Sequence, residues 1–136
     1  MLTAKQVQTD VYNMLKGSAL SSMISGAVYR AGYRPRDSRA EDAIVTFTAG
    51  TVGEVEKGVV TVNIYVPDID PYENGVLVED GARTDELEQA AAEWVQTLTA
   101  EKSDYKFKLS KTIYTEADRD TKQHFIVVIL EYEHYK

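Results

Sequence analysis

The sequence predicts an α+β domain: a largely antiparallel sheet of four to five strands with two main helices packed on it, in the order α-β-β-β-α-β-β. Three observations carry this. Val7, Val11, Met14 and Leu15 fall at helical spacing near the start, and Leu87, Ala90, Ala91, Trp94, Val95 and Leu98 do so past the middle. From Gly58 to Val66, Val60, Val62, Ile64 and Val66 alternate with Val59, Thr61, Asn63 and Tyr65, the period of a sheet with one buried face. Hydrophobic residues make up 43% of the 136 positions and charged residues 27%, which is ordinary globular composition in a length that suits one domain.

The first helix is expected from about Thr3 to Lys16. Thr3 and Gln6 have the spacing of a capping box, and Gly17 suits the position just past the end. Leu20, Met23 and Ile24 add one further helical turn. Ala27 to Tyr33 reads as a short strand ended by the loop Arg34-Pro35-Arg36-Asp37-Ser38-Arg39. Ile44 to Thr48 and Gly58 to Val66 form an antiparallel hairpin with a loose tip around Thr51 to Lys57. Pro67 then opens a long loop, Asp68 to Ala82, of a length more often functional than accidental. The second main helix follows, with Thr84 as its cap and Asp85 and Glu86 in its first turn. Tyr105 to Ile113 reads as a half-exposed strand and Glu116 to Asp120 as a polar connection. Phe125 to Leu130, apolar on both faces, reads as a central strand.

The chain has no cysteine, which excludes disulfides, thiolate catalysis and cysteine-ligated metals. No apolar run approaches the roughly 20 residues that span a bilayer. The opening residues turn amphipathic at once, unlike a secretory leader, so the expected compartment is the cytoplasm. A net charge of −7 argues against general affinity for nucleic acid or anionic lipid. Its distribution is uneven. Residues 1–40 carry six basic groups against two acids, whereas residues 41–104 carry fifteen acids against three basic groups. That asymmetry suggests a dipolar surface, provided the segments do not neutralise each other in the fold.

Sites for chemistry are scarce. His124 and His134 lie on one predicted strand about 33 Å apart, too far to share a metal or an active site, and His134 reads as a solvated edge residue. No serine sits in a G-x-S-x-G elbow, and neither a dinucleotide fingerprint nor a P-loop is present. Asp68-Ile69-Asp70-Pro71-Tyr72-Glu73 departs from a calcium loop, with Tyr72 at the fifth place and Glu73 where glycine belongs. The sequence therefore points to no catalytic residue and no cofactor. Arg30, Arg34, Arg36 and Arg39, interleaved with Tyr29 and Tyr33, fit a nucleic-acid patch, a solvated loop or a site for an anionic protein surface. The chain's acidity disfavours nucleic acid, and nine tyrosines suit contact area at an interface. A second copy of the chain supplies the acidic surface, with Arg30, Arg34, Arg36 and Arg39 of one subunit facing Asp68, Asp70 and Glu73 of the next. On that expectation, reversing Arg34 and Arg36 weakens assembly and leaves the fold intact.

The opening helix Val7 to Leu15, the segment Gly26-Ala27-Val28-Tyr29, the loop Arg34-Pro35-Arg36 and the strand Ala43-Ile44-Val45-Thr46-Phe47 carry a resemblance. So do Val60 to Val66, the acidic helix Glu86 to Leu98 and the final strand Phe125 to Tyr132. In this order the chain resembles the tail-terminator proteins of long-tailed bacteriophages and related prophages, also called tail-completion or head–tail joining proteins. The resemblance implies a non-catalytic subunit that closes into a ring, commonly a hexamer, at the end of the tail tube. Such a ring halts tube polymerisation and joins tail to head, so the implied partners are other copies of the chain, the tail-tube protein and head–tail connector proteins. It implies assembly in the bacterial host cytoplasm and a final place in the virion tail. Loop 68–82 is longer than that family leads one to expect. Two other readings stay open: a small-ligand-binding domain or enzyme with a pocket between the sheet and the second helix near Trp94, and a bacterial adaptor domain.

Overall fold

A computed structural model describes residues 1–135. Its elements run α1 (Ala4–Lys16), α2 (Ala19–Met23), β1 (Val28–Arg30), β2 (Ala43–Thr51), β3 (Glu56–Pro67), α3 (Gly81–Ala100), β4 (Tyr105–Leu109), β5 (Tyr114–Asp118) and β6 (Gln123–His134). The fold is α+β, with helices on one face of a six-stranded, mostly antiparallel sheet ordered β1-β2-β3-β6-β4, β5 also pairing with β6.

Alternation in β3 explains the layering. Val60, Val62, Ile64 and Val66 face the helices, and their partners Leu130, Val128 and Ile126 in β6 share that face. Val7, Val11 and Leu15 of α1 and Leu87, Ala91 and Trp94 of α3 close over them in one apolar cluster. Full burial of each Leu, Ile or Val contributes about 1.5–3 kcal/mol, so this cluster dominates the stability. The capping box forms as its spacing predicts: Thr3 N donates to Gln6 Oε1 at 2.8 Å, and Gln6 N to Thr3 Oγ1 at 3.3 Å.

The structure departs from the sequence expectations in several places. There are six strands where four to five are expected, because Tyr105 to Ile113 does not continue as one strand. The chain steps away after Leu109, where Ser110 N donates to Ile129 O at 2.8 Å, and returns to the same edge of β6 as β5. Glu116 and Asp118 therefore lie in a strand, which an edge strand tolerates because its charges reach water. β1 spans three residues rather than Ala27 to Tyr33, since the chain turns through Gly32 at φ +90, and it pairs with β2 in parallel. The cap of α3 is Asp80, not Thr84. Its carboxylate accepts from Arg83 N at 3.2 Å, which places Asp85 and Glu86 beyond the first turn. Thr84 is buried and donates to Glu79 Oε2 at 2.6 Å. His134 is not a solvated edge residue: β4 pairs alongside it, and its ring meets Tyr105 edge-on at 4.8 Å.

The hairpin β2–β3 carries a register shift between Phe47 and Ala49. There a side chain at Gly58 would stand 2.2 Å from the Ala49 carbonyl oxygen, so only glycine fits the close approach.

Candidate assembly surface

The loop after β1 folds back over the second face of the sheet, the face turned away from the helices. Arg34 is the reason. Its Nε donates to Asp42 Oδ2 at 2.8 Å and its Nη2 to Gln123 Oε1 at 2.9 Å, while the guanidinium lies 4.2 Å from the centre of the Tyr65 ring. The Arg34 side chain is 11% exposed and that of Asp42 2%. Burial alone would raise the Asp42 carboxyl, but bonds from Arg34, Ser38 Oγ and Ala27 N outweigh it and hold it below the usual carboxylate range. Arg34 is therefore a buried structural cation, and the expectation that it is an exposed loop charge is corrected.

The other arginines divide. Arg30 lies over the rings of Tyr12 and Tyr33, at 5.6 and 4.9 Å, and reaches Thr9 Oγ1 at 3.4 Å. Arg39 donates to the Thr121 carbonyl at 2.5 Å and reaches that of Lys122 at 3.5 Å. Arg36 is exposed and, among the described residues, has no side-chain partner.

The acidic loop after β3 is a built arm. Asp68 N donates to the same Lys122 carbonyl that Arg39 reaches, and Asp68 Oδ1 meets His124 Nδ1 at 2.6 Å. Ile69 and Val78 pair backbone to backbone at 2.9 and 2.8 Å, closing the arm's base. Asp70 accepts from Asn74 N at 3.1 Å and Gly75 N at 2.9 Å, shaping the tip, and Glu73 sits there at φ +53. Asp68 and Asp70 are thus committed within their own chain, whereas Glu73 is exposed. Because Arg39 and Asp68 converge on Lys122, the basic loop and the acidic arm occupy the same end of the subunit. Among the described residues no ion pair joins Arg30, Arg34, Arg36 or Arg39 to Asp68, Asp70 or Glu73: Arg34 pairs with Asp42 and Asp68 with His124.

The arm also shows apolar side chains to solvent. Ile69, Tyr72, Val76, Leu77 and Val78 are all exposed, Tyr72 by 76%, in a chain that buries most of its large apolar residues. Charge counting along the sequence passed over this; the signal was the run Val76-Leu77-Val78 inside an otherwise polar loop.

A second ion pair also escaped the sequence reading. Arg83 grips Glu41 with Nε at 2.7 Å and Nη2 at 2.8 Å, and bonds the Met23 carbonyl and Glu86 as well. The Arg83 bonds hold the Glu41 carboxyl below its ordinary value despite its burial. This clamp ties α3 to the chain just before β2.

At the opposite end of the sheet the second face is open. There β2, β3, β6 and β4 form a groove of about 560 Å³, with Ala49 and Val59 beside Lys57, Lys106, Lys108, Glu131 and Glu133. Near Trp94 the concavity lies between α2 and α3 rather than between sheet and helix, and Trp94 itself is buried against the core.

Neither a protein-family profile nor a curated protein matches this chain. Among solved structures, one protein whose name describes no function is similar at 17% identity over 96% of each chain, with a TM-score of 0.48. No helix among the described residues is long and apolar enough to cross a membrane.

Proposed function

We propose that the chain is a structural subunit of a phage or prophage tail, a tail-terminator protein that closes into a ring at the end of the tail tube. The ring ends tube polymerisation and joins the tail to the head, in contact with the tail-tube protein and head–tail connector proteins. It forms in the bacterial host cytoplasm and ends in the virion tail. The resemblance in element order names the family. The observation that carries self-assembly is the arm, which presents Tyr72, Val76, Leu77 and Val78 to solvent from a base built by Ile69–Val78 pairing and the Asp68–His124 contact. Exposed apolar groups on a held loop mark a contact surface.

The contact is not the one that charge alone suggested. Arg34, Asp68 and Asp70 serve the fold, Arg30 and Arg39 are engaged within the chain, and Arg36 and Glu73 stand out as exposed members of that set. Assembly driven by apolar burial resists salt, whereas assembly driven by surface charge weakens with it. Size-exclusion chromatography with light scattering at low and high salt tests this, with and without the tail-tube protein. A closed oligomer that persists at high salt is expected. A strict monomer at high concentration, in both the absence and the presence of the tube protein, contradicts the proposal.

A further inference from the structure

We infer that the arm of one copy, residues 69–78, seats in the groove at the far end of the sheet of the next copy. The inference rests on the ring reading and specifies its contact. The arm leaves the C-terminal end of β3 at Pro67, whereas Lys57 and Val59 of the groove lie near that strand's other end. At about 3.3 Å per residue the two sites are roughly 30 Å apart, so one chain cannot fill its own groove. Two unlike sites at opposite ends of a subunit give a head-to-tail contact, the kind that closes a ring.

The chemistry matches at both layers. The arm brings the apolar Tyr72, Val76, Leu77 and Val78, and the groove floor offers Ala49 and Val59 on the uncovered face. Around these the arm carries the exposed Glu73, and the groove carries Lys57, Lys106 and Lys108 against Glu131 and Glu133. Lys57 and Glu133 already face each other at 3.5 Å, which leaves Lys106 and Lys108 against Glu131, a local positive excess on a strongly acidic chain. A mixed apolar and charged fit of this kind gives both area and register.

The absence of cysteine makes the contact directly testable by crosslinking. Tyr72→Cys and Lys106→Cys are prepared as separate single variants, each at an exposed position, and mixed under mild oxidation with and without the tail-tube protein. The mixture is expected to form disulfide-linked dimers on the order of tenfold more than either variant alone. The double variant Y72C/K106C is expected to form a ladder that ends at the ring's subunit number. As a second arm, Val76→Asp is expected to raise the concentration needed for assembly about tenfold with the melting temperature unchanged. If light scattering shows an oligomer while the mixed variants crosslink no better than the single ones, the arm–groove contact is wrong and the ring reading stands. If there is neither oligomer nor crosslink, with or without the tube protein, both fall.

Discussion

Arg34 and Asp42 form a buried ion pair at 2.8 Å within one chain, and this pair pins the loop of residues 31–40 over Tyr65 and Gln123 on the second face of the sheet. Removing one partner leaves the other charge buried and unpaired, which costs about 3–5 kcal/mol. Arg34→Ala is therefore expected to lower stability by about 3 kcal/mol in urea or thermal unfolding. Arg36→Glu, two residues on and exposed, is expected to stay within about 0.5 kcal/mol of the parent. Equal effects at the two positions would refute the division between structural and surface arginines.

Acid should act through the same pairs. The carboxyls of Asp42 and Glu41 are both held below their ordinary values in the fold. In the unfolded chain they return to the ordinary carboxylate range near pH 4. The unfolded state then binds more protons as pH falls into that range, so the stability these groups contribute is present above it and lost below. The urea midpoint is expected to hold from pH 7 to pH 5 and to drop between pH 5 and pH 3. Glu41→Gln should flatten that drop; an unchanged slope would show that Arg83 does not hold the group.

Gly58 is a packing position and not a hinge. Gly58→Ala forces a methyl against the Ala49 carbonyl and the Tyr132 ring. A loss of about 1–3 kcal/mol is expected, read by thermal melting, because overpacking at a strand crossing moves backbone. Gly75→Ala offers a contrast: nothing lies within 4 Å of its added methyl, and only its φ of +78 opposes the change, so a smaller loss is expected.

The apolar arm should be dispensable for folding. Tyr72→Ala removes a ring that is 76% exposed, so the melting temperature is expected to hold while self-association weakens. A large drop in melting temperature would show that Tyr72 packs within its own chain.

The fold was largely legible because its signals are local and periodic. The alternation of Val60 to Val66 and the helical stripe Leu87 to Leu98 each name a buried face without reference to anything distant. Boundaries were less so: Asp80 and Thr84 both suit a cap, and the choice depended on Glu79 occupying the Thr84 hydroxyl. The break between β4 and β5 shows only in the pairing with β6, where β4 runs against residues 130–134 and β5 against residues 123–127. The surface was the least legible part. Asp42 and Gln123, eight and eighty-nine residues from Arg34, decide whether that arginine is surface or core. A charge count along the chain cannot see such pairings, and it missed the Arg83–Glu41 clamp for the same reason.

Tube length tests the central claim most directly. On the tail-terminator proposal, a tail-tube protein encoded beside this chain is polymerised with and without it, and the lengths are measured by electron microscopy. Tubes capped at one end by a ring, with growth halted there, are the predicted result; tubes that grow to the same lengths, uncapped, in the presence of excess chain would contradict it.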